Sequence, residues 1–168
     1  MIFKDSTGTE VSQRPQAVQF SSDFSVTDGG EGTTDIGLSG VGDVEVVTAT
    51  NVITAAESGK TFFLSAAGGF ESTLPTAALG LNFRFVVKTA PTSVGYTITG
   101  APADKIFGTV AASGAEATVN GVTANAADNV ILVANQALIG DFLEFYADET
   151  NWYVTGNVNT FAAITANG

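Results

Sequence analysis

An all-β fold is predicted by three features of the amino-acid sequence. Charged residues make up 14% of the 168 residues, so Thr, Ser, Asn and Gly must supply much of the surface, and these residues suit strands and turns. Short β-rich runs recur with Gly, Pro, Asn or Asp between them. The long crossover helices of a parallel α/β fold are not visible. We therefore predict an antiparallel β-sandwich or barrel-like domain with an N-terminal arm.

The arm is predicted to span residues 1–40 and to form an extended segment or a small hairpin. Candidate strands at residues 17–20 and 24–27 precede a glycine- and acid-rich break at residues 28–35. A segment of this size cannot build its own core, so it must pack on the main body, on a neighbouring copy or on a larger surface. Four apolar residues are the candidate contacts: Ile2, Phe3, Val18 and Phe20.

The main domain is predicted to span residues 41–168 and to consist of short strands. Phe83, Phe85 and Val87 alternate with Arg84, Val86 and Lys88, which indicates one buried face and one partly solvent-exposed face. The run at residues 130–133 lacks alternation, which predicts a strand covered on both faces. Single helical turns are predicted at residues 55–59 and 76–80. The predicted strands lie at residues 44–48, 51–54, 61–65, 83–89, 96–99, 105–110, 115–120, 130–133, 142–147 and 152–155.

A β-hairpin is the clearest local unit, and it lies at residues 140–156. Two aromatic-rich runs flank Asp148-Glu-Thr-Asn151, in which Asp and Asn favour turn conformations. Strand alternation sends Trp152 and Tyr153 to opposite faces. One of these two side chains is therefore predicted to lie in the core, and the other is available for a subunit contact or for stacking on a sugar.

The residue inventory leaves carboxylates or an unusual Ser–Lys arrangement as possible catalytic groups, and the Ser-x-x-Lys pattern does not occur. The chain has no His and no Cys, so imidazole and thiol chemistry are excluded. The candidate carboxylates are Asp104, Glu144, Asp148 and Glu149. We interpret them as residues on the solvent-exposed face of a strand and as hydrogen-bond acceptors in a turn, and not as the catalytic pair of a glycosidase. The acidic stretch at residues 28–35 is a possible calcium loop, but a solvated loop is the favoured interpretation. We predict no enzyme, no catalytic or metal-binding residue and no cofactor.

The net charge of −11 bears on possible partners. The six basic residues are dispersed along the sequence, which argues against binding to nucleic acid. An anionic surface is also repelled by acidic membranes, and no apolar run reaches the roughly 18 residues of a membrane span. The N-terminus lacks the apolar stretch of a signal peptide.

Several stretches resemble virion structural proteins of tailed phages, particularly head decoration (cement) or head-fibre proteins. The similar residues are those at 50–64, Thr73-Leu-Pro75, those at 81–87 and the closing Asp148…Asn151-Trp-Tyr-Val154, so the resemblance covers about residues 44–157. It implies a β-sandwich or barrel-like homotrimer on the outer surface of the phage head, where it binds the major capsid protein and stabilises the shell. Ile2, Phe3, Val18 and Phe20 are then candidate capsid or neighbour contacts.

Two alternatives remain. One is a tail-fibre or head-fibre module that recognises host-surface glycans through exposed aromatic side chains. The other is a carbohydrate-active enzyme, which requires two carboxylates that converge in a cleft.

Overall fold

The computed structural model describes residues 24–30, 33–38, 43–113 and 121–168. The chain divides into two compact units, Met1–Ser39 and Gly40–Gly168. In the first unit, β1 (Phe24–Gly30) and β2 (Thr33–Leu38) form an antiparallel hairpin. The break predicted at residues 28–35 is therefore largely strand, because Asp28 pairs with Thr34 and Thr27 pairs with Asp35.

Part of the predicted arm is not covered by the structure. The strand expected at residues 17–20 lies outside the described residues. The same is true of the four candidate contact residues, Ile2, Phe3, Val18 and Phe20.

The second unit consists of two β-sheets, which confirms the predicted all-β, sandwich-like fold. Its strands are β3 (Val44–Val47), β4 (Asn51–Val52), β5 (Thr61–Leu64), β6 (Phe70–Thr73), β7 (Asn82–Val87), β8 (Tyr96–Thr99), β9 (Lys105–Ala112), β10 (Gly121–Ala127), β11 (Asn129–Leu132), β12 (Phe142–Ala147), β13 (Asn151–Val158) and β14 (Ile164–Asn167). The seven-stranded sheet has the order β10-β9-β13-β12-β7-β5-β3, and the five-stranded sheet has the order β14-β11-β8-β6-β4.

Both sheets are mixed, so the expectation of a purely antiparallel arrangement is corrected. From β3 to β8 the chain alternates between the sheets, which makes β3, β5 and β7 parallel in one sheet and β4, β6 and β8 parallel in the other. Parallel neighbours need a long crossover connection, usually a helix. Here a strand of the opposite sheet forms part of that connection, so parallel pairing occurs without helices.

The core lies between the two sheets and is rich in aromatic side chains. Phe85 packs against Phe62 and Phe145, with ring centroids 5.4 Å and 5.6 Å apart, and Phe83 lies 5.6 Å from Trp152. The five-stranded sheet contributes buried side chains from β8 and β11. Each fully buried Phe or aliphatic side chain contributes roughly 1.5–3 kcal/mol, so this layer is a main source of stability. The contributors from β8 and β11 are Tyr96, Ile98, Val130 and Leu132.

The strongest local patterns correspond to observed elements. The predicted hairpin is confirmed as β12 and β13, and the strand predicted at residues 96–99 is β8. A 3-10 turn occupies Ala55–Glu57, as expected, but no helix forms at residues 76–80. The prediction that the strand at residues 130–133 is covered on both faces is wrong, because Ile131 is only half-buried while Val130 and Leu132 point into the core.

In the second unit, three strands, β6, β10 and β14, were not expected from the sequence. Their residues are largely Ala, Ser, Thr, Asn, Gly and Glu, which give little apolar alternation. The strand predicted at residues 115–120 lies outside the described residues. Across the residues that the structure covers, no helix is long and apolar enough to cross a membrane.

Candidate interaction face

The outer face of the seven-stranded sheet is the side turned away from the core. It is apolar at the β3 end and aromatic where β12, β13 and β9 meet. Strand pairing arranges its side chains in three rows across the sheet. The first row contains Val46, Phe63, Val86, Phe142, Asn157 and Ala111; the second contains Val44, Thr61, Arg84, Glu144, Thr155, Thr109 and Thr123; the third contains Asn82, Tyr146, Tyr153 and Phe107.

An apolar groove of about 530 Å³ lies on this face beside edge strand β3. Val44, Val46 and Ile139 are exposed on the surface around it. Exposed aliphatic groups gain free energy when a partner removes them from water. The groove is lined by Val44, Val46, Phe63, Val86, Val87, Lys88, Ile139 and Gly140.

The charged residues at the centre of the outer face are paired with each other. The Nη1 atom of Arg84 lies 3.1 Å from Oε1 of Glu144. The same guanidinium lies 4.5 Å from the ring centroid of Phe142, in cation–π geometry. The Tyr146 hydroxyl donates to Oε2 of Glu144 at 3.2 Å, and burial together with Glu144 raises the pKa of Tyr146. The centre of the face therefore carries little net charge.

Three aromatic side chains from neighbouring strands form the third row of the face. Tyr146 pairs with Tyr153 across β12 and β13, and Tyr153 lies 6.3 Å from Phe107 between ring centroids. Trp152, the neighbour of Tyr153 in the chain, is 0% exposed, whereas Tyr153 is 44% exposed. The predicted division of these two side chains between the core and the surface is confirmed.

Asp148 organises the hairpin turn beside this aromatic row. Its Oδ1 accepts hydrogen bonds from the backbone N–H groups of Thr150 and Asn151, both at 2.7 Å. Its Oδ2 accepts a hydrogen bond from the hydroxyl of Tyr153, with the two oxygens 2.7 Å apart. The Thr150 N–H, the Tyr153 hydroxyl and the Asn151 N–H lower the pKa of Asp148 to about 2. The interpretation of Asp148 as a turn acceptor is confirmed.

The other carboxylates singled out in the sequence occupy different environments. Asp104 is buried and accepts the backbone N–H of Ala77 at 2.6 Å. Glu144 is paired with Arg84 on the outer face, and Glu149 is exposed in the hairpin turn. Among the residues described, no three His, Cys, Asp or Glu side chains are grouped so that they could hold a metal ion.

One buried carboxylate was not singled out in the sequence. Asp141 accepts the Leu138 N–H at 2.9 Å, together with the backbone N–H and side-chain amide of Asn159 at 2.9 Å and 2.8 Å. It therefore holds the loop that carries Ile139 at the rim of the apolar groove.

The outer face of the five-stranded sheet has a different chemistry. Its side chains are mostly hydroxyls and amides, and its apolar members are Ile131 and Val52. Such a face is readily hydrated. The two outer faces therefore differ, and the face of the seven-stranded sheet is the one suited to a partner. The polar members on the five-stranded sheet are Glu71, Thr73, Thr97, Thr99, Asn129, Thr165 and Asn167.

Basic residues that are dispersed in the sequence are brought together by the seven-stranded sheet. Arg84 lies in β7 and Lys105 in β9, while Lys60 directly precedes β5 and Lys88 directly follows β7. Lys60 contacts Glu45 at 3.0 Å, and Lys105 pairs with Asp128. This sheet is therefore less acidic than the net charge of −11 suggests for the whole protein.

The apolar groove is not evident from the sequence, although one signal for it is present. Val86 occupies the face of β7 that was expected to be partly wet, and β3 carries valine on both of its faces. A single valine on a solvent-exposed face is common in proteins, so the pattern alone does not identify a contact surface.

Comparison with known protein families, with curated proteins and with solved structures finds no match to the chain.

Proposed function

We propose that this chain is a capsid decoration (cement) protein of a tailed phage. It binds the major capsid protein on the outer surface of the head as a homo-oligomer and stabilises the shell. The observation that carries an assembly role is the apolar and aromatic outer face of the seven-stranded sheet, which contrasts with the polar face opposite. The phage head as the site of assembly is supported by the resemblance of residues 44–157 to virion proteins.

The roles of the carboxylates support assembly over catalysis. Asp104 and Asp141 are buried acceptors of backbone N–H groups, and Asp148 is the acceptor of a turn. Glu144 is neutralised by Arg84. A decoration protein needs no reactive group, since many copies on a lattice make weak individual contacts sufficient for stable attachment.

Binding to phage heads that lack this protein tests the proposal. The full-length chain should bind such heads in many copies per particle, as measured by electron microscopy and by co-sedimentation. Replacing Ile2, Phe3, Val18 and Phe20 together by Ser should reduce occupancy at least tenfold, because these residues are the proposed capsid contacts. The matched control replaces Gln16 and Gln19 by Ser in the same segment and should bind normally. Failure of the unsubstituted chain to bind heads would refute the capsid function.

Glycan recognition by a fibre module is a second candidate, favoured by the aromatic row. A polar pocket of about 200 Å³ adjoins Tyr146 and is also lined by Lys60, Asn82, Arg84 and Glu144. Aromatic rings stack on the apolar faces of sugars, while amide and charged groups bind hydroxyls. On a glycan array, this function predicts binding that is lost in Tyr146→Ala. A few copies per particle, instead of hundreds, would also favour it.

A further inference from the structure

We propose that a second copy of this chain covers the outer face of the seven-stranded sheet. This inference deepens the proposed function by naming the surface through which the copies of a homo-oligomer meet. It rests on that function for the presence of more than one copy. The surface itself is identified from the structure.

The outer face carries several exposed apolar side chains. Val46, Ile139 and Tyr153 are 48%, 69% and 44% exposed. They lie around the half-buried side chains of Phe63, Val86 and Phe142. Exposed apolar patches on a protein surface mark sites of contact with a partner, and covering them gains free energy. The core covers one side of this sheet, so the apolar and aromatic parts of the other side are available to a partner.

The distribution of charge also favours this face for contact between two copies. Two copies of a protein with a net charge of −11 repel each other, and this repulsion is smallest where the surface is neutral or locally basic. The outer face meets this condition, since Arg84 and Glu144 neutralise each other at its centre and Lys88 borders its apolar groove. Close approach of two acidic chains is therefore least unfavourable on this face.

The area of the face is comparable with that of a small specific interface. Seven strands about 4.8 Å apart give a width of about 30 Å, and three rows of side chains about 6.7 Å apart give a height of about 20 Å. The face therefore offers about 600 Å² per copy, or about 1,200 Å² for a pair. This area is the lower end of the range for specific protein–protein interfaces, roughly 1,200–2,000 Å².

Size-exclusion chromatography with light scattering tests the proposal on the isolated, full-length chain. The unsubstituted protein should have the mass of at least two 17.1 kDa chains at micromolar concentration. Val46→Glu and Ile139→Glu should each raise the dissociation constant at least tenfold, because each places a carboxylate against apolar groups of the other copy. Val52→Glu is the matched control, because Val52 is 73% exposed on the opposite sheet. It should leave the mass unchanged.

Two results would overturn the proposal. One is a single-chain mass for the unsubstituted protein, including the case in which the face binds a glycan or another protein instead. The other is an oligomer whose dissociation constant is unchanged in both face variants. Fluorescence of the single, fully buried Trp152 reports whether each variant is folded.

Cross-linking gives a second measurement that needs no charged substitution. Because the chain has no cysteine, a single introduced thiol can be cross-linked only to the thiol of another copy. With a short bis-maleimide, Ile139→Cys should give a covalent dimer in high yield, and Val52→Cys should not. Equal yields at the two positions would contradict the assigned face. Both measurements use isolated protein, so failure of this inference is distinguishable from failure to bind phage heads.

Discussion

At the scale of single residues, glycine permits two strands to approach where a side chain would prevent it. Gly108 lies in β9 and pairs with Val154 of the neighbouring parallel strand β13. Its φ of +135° is a conformation that residues with a Cβ rarely adopt. A Cβ at this position would lie 2.0 Å from the carbonyl oxygen of Val154. The junction of β9 and β13 therefore depends on glycine here.

Gly108→Ala is expected to destabilise the fold, because both the backbone angle and the contact with Val154 are incompatible with a methyl group. The loss should exceed about 1 kcal/mol in the free energy of unfolding, measured by urea denaturation. Gly68→Ala is the control, since no atom lies within 4 Å of a Cβ at Gly68. Equal midpoints for the two variants would show that β9 can move away from β13 at little cost.

At the scale of elements, the β12–β13 hairpin combines core packing, turn chemistry and the exposed face. Leu143, Phe145 and Trp152 point into the core, while Tyr146 and Tyr153 point to the outer face. Asp148 connects the turn with the exposed face, because it accepts a backbone hydrogen bond within the turn and another from the Tyr153 hydroxyl. The orientation of one exposed aromatic ring is thereby tied to the turn.

The lowered pKa of Asp148 predicts a pH-dependent contribution to stability. The folded-state pKa is about 2 and the ordinary value is 3.8, so folding favours the carboxylate. This stabilisation is fully present above the ordinary value and is lost as the pH falls through about 2. Asp148→Asn should therefore be less stable than the unsubstituted protein at pH 7, and the difference should shrink between pH 4 and pH 2.

Urea denaturation at pH 7, 4 and 2 measures this difference. Glu149→Gln changes an exposed carboxylate in the same turn and serves as the control. It should stay within about 0.5 kcal/mol of the unsubstituted protein at each pH. An Asp148→Asn deficit that is constant from pH 7 to pH 2 would contradict the role assigned to the Asp148 charge.

At the scale of the whole molecule, the distribution of charge and apolar surface is uneven. Every Lys and Arg among the described residues lies in or directly beside a strand of the seven-stranded sheet. The net charge of −11 nevertheless opposes association of the chain with itself. Association through the outer face therefore depends on apolar contact and is opposed by long-range repulsion.

The proposed self-association should consequently strengthen with salt. Raising NaCl from 20 mM to 500 mM shortens the screening length from about 20 Å to about 4 Å, which removes most of the repulsion between acidic copies. The dissociation constant, measured by sedimentation equilibrium, should fall several-fold. Val46→Glu should still associate more weakly than the unsubstituted protein at both salt concentrations. Weakening of the unsubstituted oligomer by salt would indicate that ion pairs, and not apolar contacts, hold it.

The sequence by itself determined the features that depend on neighbours along the chain. Alternation in β7, the turn chemistry of Asp148 and the opposite directions of Trp152 and Tyr153 all follow from a two-residue period, and each is present in the structure. The all-β class follows from the same local patterns. Strands rich in Ala, Ser and Thr, such as β10, lack this period and were missed.

Only the tertiary structure decided which strands are neighbours. The parallel pairing of β3, β5 and β7 places Val46, Phe63 and Val86 in one row, although they come from three separate segments. The pairing of β7 with β12, of β12 with β13 and of β13 with β9 places Arg84 and Lys105 in one sheet. The physical reason is that strand pairing is a long-range choice made by burying the core. The composition of the outer face results from that choice and cannot be read from any single strand.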